Sequence, residues 1–375
     1  MIYLDNASTT KVDEEVIKTI NPYFNKIYGN ASSLHSLGTE ARKALEDSRK
    51  IIAEKINALP EEIIFTASGT EANNIIIQGI AKSKGKGHII TTKIEHPAVL
   101  ETVKTLEKEG FEVTYLDVDE KGFVKNLEKS IKPNTILVSV MHANNEIGTI
   151  QDLEKIGKIC EKKEIFFHSD CVQSFTKVPI DVRKMNLSAI TISAHKIHGP
   201  KGVAALYLKK GTRLKKIMYG GHHERDVRPG TENIPGITGF AKASMLIKEK
   251  EIKQMEKLRD RLIDGLLKIS NSRLNGDRTK RLCNNASISF KYVEGESILL
   301  YLNDKGIAVS TGSACSSQSL EPSHVLIAIG LPHEIAHGTI RYSLSKYTTE
   351  KEIDYTIKET KKVVEKLREM SPIRR

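Results

Sequence analysis

Between about residues 40 and 208 the sequence alternates short apolar runs with longer stretches of helical spacing, and no other feature restricts its possible folds as strongly. Runs at 63–66, 88–92, 112–116, 135–141, 165–168, 189–193 and 203–208 read as strands. A run such as Ile136-Leu137-Val138-Ser139-Val140 has almost no polar face. That suits a sheet covered by helices on both sides, so an α/β layer with a mostly parallel seven-stranded sheet is expected. Past about residue 255 the pattern changes. Met255, Leu258, Leu262 and Leu266 mark one face of a long helix, and shorter strands at 286–291, 307–310 and 339–343 follow. A last helix aligns Ile353, Ile357, Val364 and Leu367. This part reads as a smaller α+β domain. With 375 residues the chain exceeds the size at which single cores stop growing, so two domains are expected.

Composition removes several classes. At 39% apolar and 28% charged residues the chain is neither disordered nor a low-complexity scaffold. No apolar run approaches the roughly 20 residues that cross a bilayer, and the first residues lack the basic-then-apolar pattern of an export signal. A cytoplasmic protein that needs no membrane is expected. Cys160, Cys171, Cys283 and Cys315 form no CxxC pair, which argues against a zinc ribbon, a thioredoxin-type centre or a disulfide framework. The balance of 58 basic against 47 acidic residues, 58 − 47 = +11, favours acidic partners without identifying one. The densest basic cluster, Lys209, Lys210, Arg213, Lys215 and Lys216, comes with none of the usual nucleic-acid modules.

The strongest local signal is Ser193-Ala194-His195-Lys196-Ile197-His198-Gly199-Pro200, a strand end running into a turn that exposes hydroxyl, imidazole and amine together. Enzymes that use pyridoxal phosphate need a lysine amine to hold the cofactor as a Schiff base, with polar donors for its phosphate. They also need a carboxylate against the ring nitrogen. Asp170 closes another strand and suits that role. Ser68-Gly69-Thr70-Glu71-Ala72-Asn73 supplies an anion cradle where a strand gives way to a helix. Each residue alone has an ordinary alternative: Asp170 as a helix cap, His96 as an interior imidazole, Lys196 and His195 as turn residues. Their order on separate strand ends is far more specific.

Further motifs span the chain: Tyr3-Leu4-Asp5-Asn6-Ala7-Ser8-Thr9-Thr10, Gly29-Asn30-Ala31-Ser32-Ser33, Glu95-His96, His142-Ala143-Asn144-Asn145-Glu146-Ile147-Gly148, Arg228-Pro229-Gly230-Thr231-Glu232-Asn233 and Ser313-Ala314-Cys315-Ser316-Ser317. Together they resemble the cysteine desulfurases of the NifS/IscS type, in the pyridoxal-phosphate-dependent aminotransferase class V family of fold type I. The resemblance implies a large cofactor domain over residues 13–255 and a small domain formed by 1–12 and 256–375. It implies that Lys196 carries the cofactor, that Asp170 meets the ring nitrogen, that Gln173 contacts the phenolic oxygen and that His96 stacks on the ring. Gly69, Thr70, Ser193 and His195 would hold the phosphate, joined by Thr231 from a second subunit of a homodimer. Asn145, also beside the cofactor, and Arg341 would grip the carboxylate of L-cysteine.

The resemblance further implies that Cys315 accepts sulfur as a persulfide while alanine leaves, with His96 assisting proton transfer. Independently, Cys315 lies among small polar residues from Ser310 to Ser319, with little to anchor them in a core; such a loop should move and carry sulfur outward. An incidental loop cysteine is the ordinary alternative. Implied partners are an iron–sulfur scaffold protein of the IscU type and tRNA-thiolation proteins. No resident metal is expected, Cys315 serving at most as a transient iron–sulfur ligand in a scaffold complex. A selenocysteine lyase and a catalytically idle scaffold are the rival readings.

Cys171 departs from the small apolar residue common beside the ring-binding Asp, and reads as a core cysteine. His198 stands where tyrosine is common and reads as a neighbour of the site. His333-Glu334-Ile335-Ala336-His337 matches a zinc-protease pattern, but Pro332 and Gly338 leave barely one helical turn for it.

Overall fold

The computed structural model of the chain describes residues 1–312 and 321–370. A short strand β1 (Ile2–Tyr3) precedes seven that build the main sheet: β2 (Ile63–Thr66), β3 (His88–Thr92), β4 (Glu112–Leu116), β5 (Thr135–Ser139), β6 (Phe166–Asp170), β7 (Ala189–Ser193) and β8 (Ala204–Leu208). Their order is β2-β8-β7-β6-β5-β3-β4. Only β8 runs against its neighbours, so the sheet is mostly parallel as the apolar runs suggested.

Alternate residues of each strand enter opposite cores. Phe65, Ile90, Val138, Ile190 and Tyr207 pack on one face with Leu45 and Ile52 of the helix Ser36–Glu54. Ile64, Ile89, Leu137, Ala189 and Leu206 pack on the other with Ile76 of the helix Gly69–Lys84 and Val103 of the helix Pro97–Lys108. Burying each large aliphatic side chain contributes about 1.5–3 kcal/mol, and the double burial explains why the strands lack a polar face.

Two strand ends differ from the sequence reading. The fifth strand stops at Ser139 instead of residue 141, because Met141 N–H turns to the Glu95 carboxylate at 2.9 Å. The sixth starts at Phe166, since Ile165 N–H bonds back to Cys160 in the preceding helix, and it runs on through the polar pair Ser169 and Asp170.

A second, antiparallel sheet has the order β12-β10-β9, with β9 (Ser272–Leu274), β10 (Asn285–Phe290) and β12 (Thr339–Ser343). Leu258, Leu262 and Leu266 of the helix Glu249–Leu266 pack behind it with Ile353 and Val364 of the helix Glu350–Met370. β1 pairs in parallel with β11 (Ile307–Ala308). From there the N-terminal segment crosses toward the main sheet: Asn6 N–H donates to Ser343 O, Thr10 N–H to His195 O and Asp13 N–H to His198 O.

Candidate active site

The ends of β2, β6 and β7 and the crossing N-terminal segment enclose a cavity of about 320 Å³. Such crevices at the carboxyl ends of parallel strands are where open α/β sheets bind ligands. Ser68, Gly69 and Thr70 line it at the start of the helix Gly69–Lys84. Ser68 Oγ caps that helix by accepting from Glu71 N–H at 3.1 Å. A Cβ at Gly69 would come within 3.0 Å of Val172 Cγ2, so the small residue permits close approach of the helix end to the wall of the cavity. The N–H groups at the very start of this helix, Glu71 N–H being taken by the cap, together with the Thr70 and Ser193 hydroxyls, could hold an anion.

His195 belongs to the short turn Ala194–Lys196 that follows β7, with Nδ1 3.2 Å from Thr9 Oγ1. Burial, reinforced by the charges of Lys196, Lys201 and Lys177, pushes its imidazole down to about 4, so it is neutral near pH 7. Lys196 Nζ donates to Ala7 O at 2.5 Å and Ser8 O at 2.7 Å. Gln173 Nε2 reaches the same Ala7 carbonyl at 2.9 Å. Behind the turn, the buried Lys177 Nζ donates to Lys196 O at 3.1 Å.

Asp170, the last residue of β6, is buried and accepts from Asn73 Nδ2 at 2.8 Å and Val172 N–H at 2.9 Å. His96 caps the helix Pro97–Lys108 by accepting from Ala98 N–H at Nδ1, 3.1 Å, which leaves Nε2 to carry the proton of a neutral ring. Burial holds this imidazole below its ordinary range, against the pull of Asp170 and with the help of Lys196 and His324.

From the second sheet, Arg341 of β12 donates to Asp5 Oδ1 at 2.9 Å, Ser8 Oγ at 2.7 Å and Asn145 O at 3.2 Å. Its Nε is buried and has no partner among the described residues. Asn145 and Gly312 complete this wall.

Gly69, Thr70, His96, Asn145, Asp170, Gln173, Ser193, His195, Lys196 and Arg341 therefore share one cavity. Thr231 does not line it; it is exposed beside Arg228 and Glu232 at a separate cleft. Cys315 lies outside the described residues. Cys171 is fully buried, which pushes its thiol up to about 12. His198 Nδ1 donates to Lys11 O at 2.8 Å, outside the cavity lining. The His333–His337 helix is five residues long between Pro332 and Gly338.

Sequence reasoning gave no role to Asn73, Ala7 or Ser8. Asn73 had a usable signal, since it sits one turn beyond Gly69 and so shares its helix face. Ala7 and Ser8 act through backbone carbonyls and a small hydroxyl brought from a distant part of the chain, and nothing local announces that.

Residues 2–356 match the family described as Aminotransferase class-V. A relative from Dictyoglomus turgidum named cysteine desulfurase IscS is 50% identical over 380 aligned positions, covering 99% of this chain and 96% of the relative. Among solved structures, one named NifS-like protein superposes with a TM-score of 0.92 at 40% identity, covering 98% of this chain and all of that one. A second, described as SspA in complex with cysteine, gives a TM-score of 0.84 at 35% identity over 93% of this chain and 100% of that one.

Proposed function

The chain belongs to the aminotransferase class-V family, and on that premise we propose that it is a cysteine desulfurase, converting L-cysteine to L-alanine and a persulfide on Cys315. The observation that carries this reading is the single cavity in which an amine, Lys196, and a buried carboxylate, Asp170, meet small polar residues at a helix start and the guanidinium of Arg341. The donor set fits pyridoxal phosphate. Lys196 would hold it covalently, Asp170 would face its ring nitrogen, Gln173 its phenolic oxygen and His96 its ring, with Gly69, Thr70, Ser193 and His195 around the phosphate. When bound, that cofactor supplies a conjugated ring able to take up electrons released at the substrate carbon.

The chain's own groups divide the remaining work. Arg341 and Asn145 grip the substrate carboxylate, a task suited to the planar guanidinium fork at the cavity wall. Lys196 Nζ takes the Cα proton and later returns a proton to carbon. Asp170 would face the ring nitrogen and favour a proton there, and Asn73, donating at 2.8 Å, fixes that carboxylate. His96 exchanges a proton at Nε2 near the departing sulfur. The Cys315 thiolate forms the new sulfur–sulfur bond as the substrate carbon–sulfur bond breaks.

The same reading includes a cytoplasmic homodimer in which Thr231 completes the phosphate site of the partner subunit. It also includes domains at 13–255 and at 1–12 with 256–375, which the separate cores behind the two sheets support. Sulfur passes from Cys315 to an iron–sulfur scaffold protein of the IscU type, and to tRNA-thiolation proteins. The name IscS among the relatives supports the first acceptor.

The decisive measurement incubates the holoenzyme with cysteine, maps persulfide by mass spectrometry and quantifies alanine. Persulfide on Cys315 with matching alanine is expected; alanine without it, or persulfide elsewhere only, overturns the assignment. Mixing Lys196→Ala with Thr231→Ala subunits tests the shared site, because heterodimers should regain one intact centre. No regain places Thr231 in its own subunit's chemistry.

A further inference from the structure

Lys177 is 6% exposed, and among the described residues no carboxylate pairs with its ammonium. The partner its Nζ finds is the carbonyl of Lys196 at 3.1 Å. Burial, opposed by Cys283, pulls this ammonium down to about 8, so it keeps its proton near pH 7. An interior cation is costly unless its partners repay the lost hydration, so one placed on the backbone of Lys196 calls for an explanation.

The chain around it supplies one. β6 and β7 are paired as far as Asp170 and Thr191, and Cys171 N–H adds a bond to Thr191 O at 2.9 Å. Past that point the two chains leave the sheet, one through Gln173 to Lys177 and the other through the turn Ala194–Lys196. The first is a run of tight turns: Phe175 N–H donates to Cys171 O, and Lys177 N–H and Val178 N–H to Ser174 O, each at 2.9 Å. In the second, each carbonyl has its donor. Ala194 O accepts from Ile197 N–H and Gly199 N–H at 3.0 Å each, and His195 O from Thr10 N–H at 3.0 Å and Thr10 Oγ1 at 2.9 Å. The Lys196 carbonyl goes to Lys177, so a charged donor ties the two chains together again beyond the end of the ladder.

We propose that Lys177 is a positioning residue for Lys196: its ammonium fixes the backbone of the amine-bearing turn against the run that carries Asp170 and Gln173, and so sets where Lys196 Nζ stands relative to both. This deepens the desulfurase reading and rests on it. A proton carrier works only from a narrow range of positions, and the lysine side chain is long and flexible, so holding its main chain removes motion that the side chain would otherwise add to. Lys177 lies outside the cavity lining and acts through Lys196.

The test compares Lys177→Met and Lys177→Gln with the unsubstituted protein, all loaded with pyridoxal phosphate. Methionine keeps the apolar stem but brings no donor, and the glutamine amide is too short to replace the ammonium at the Lys196 carbonyl. Losing one hydrogen bond from a charged donor should lower kcat for alanine about tenfold in both variants. KM for cysteine should change less than about threefold, because the substrate carboxylate is gripped elsewhere. The second readout needs no turnover: after dialysis, borohydride reduction and peptide mapping should find the fraction of protein with cofactor fixed to Lys196 lowered several-fold in both. Both are measured where circular dichroism shows each variant folded, so a loss of stability alone moves neither.

An unchanged kcat, a rise in KM alone or undiminished attachment at Lys196 overturns the inference. If Lys177→Met does not fold, Lys177→Gln decides by the same two measurements. In the unsubstituted protein, cofactor fixed to a peptide without Lys196, or alanine formed with no persulfide on Cys315, defeats the desulfurase reading itself, whereas equal turnover and equal attachment in every variant defeat only the role of Lys177.

Discussion

The two walls of the cavity are built in different ways. On one, Gly69, Thr70, Asp170, Ser193, His195 and Lys196 stand at strand ends, each beside the helix or turn that aims it. On the other, Ala7, Ser8, Asn145, Gly312 and Arg341 meet only through the fold: Arg341 reaches back to Asp5 and Ser8, and Lys196 to Ala7 and Ser8. The first wall is local architecture of the main sheet. The second is a seam between two sheets, held by hydrogen bonds across hundreds of residues. On the proposed function, covalent and electronic chemistry would be anchored in the main sheet, and substrate recognition would sit where the two sheets meet.

The largest effect should come from the first wall. Lys196→Ala should lower alanine formation by roughly a thousandfold or more, because the proposed cofactor attachment and the proposed proton carrier would both be lost. Circular dichroism should remain that of the folded protein, since the Lys196 side chain lies at the cavity and not in either core. Turnover within tenfold of the unsubstituted enzyme would remove Lys196 from the chemistry and erase the contrast between the walls.

A substitution on the second wall should do less, and in another parameter. Arg341→Lys keeps the charge but loses the planar fork that serves Asp5, Ser8 and Asn145. A loss of about 10- to 100-fold in kcat/KM is expected, carried mainly by KM for cysteine. If kcat falls instead with KM unchanged, the second wall takes part in the chemical step and the division of labour fails.

The same contrast explains what could be read from the sequence. Strands such as β2, β5 and β7 were legible because double burial leaves nearly continuous apolar runs, and Lys196, Asp170 and the Ser68–Asn73 stretch were legible because the elements that aim them adjoin them. β9 was not, since its three residues are partly exposed and polar at one end. Ala7 and Ser8 belong to a motif behind the resemblance, but their part in holding Lys196 gave no signal, as a backbone carbonyl contributes the same group whatever the side chain. Asn145 and Arg341 came from resemblance; their meeting depends on the packing of one sheet against the other, which no local pattern encodes.

Between the walls, Glu95 offers a pH-dependent test of how the seam is held. It is wholly buried, and one oxygen accepts from Thr92 Oγ1 at 2.8 Å and Met141 N–H at 2.9 Å while the other has no partner among the described residues. Burial, helped by Asp170 and opposed by those two bonds, pushes its carboxyl from an ordinary 4.5 up to about 8. The folded state then keeps a proton that the unfolded chain releases. Stability from this group is full below about pH 4.5 and declines as pH rises toward about 8. Glu95→Gln cannot titrate, so denaturant unfolding should show the variant gaining on the unsubstituted protein by a few kcal/mol across that window. A constant difference between the two from pH 5 to 8 would show that Glu95 is ionised in the folded protein.

The smallest effect should come from Thr176, in the turn that supports the first wall behind Gln173. Its φ is +64°, a left-handed conformation that a β-branched side chain adopts only under strain, and its buried Oγ1 has no partner among the described residues. The turn is nevertheless held by its surroundings: Phe175 packs edge-on against Phe240 at 5.8 Å, and Lys177 N–H donates to Ser174 O at 2.9 Å. Thr176→Gly removes both the steric strain and the orphan hydroxyl, worth about 1–3 kcal/mol together, and gives back about 1 kcal/mol through the greater freedom of glycine in the unfolded chain. A net gain of about 1 kcal/mol is expected, raising Tm by about 2 °C. Thr176→Ala loses the hydroxyl but keeps a Cβ at positive φ, so it should gain less. Activity should stay level in both, because Thr176 does not line the cavity. A Tm for Thr176→Gly at or below that of the unsubstituted protein would mean that the threonine side chain repays its strain, and that the support of the first wall is less tolerant of local change than its rigid surroundings imply.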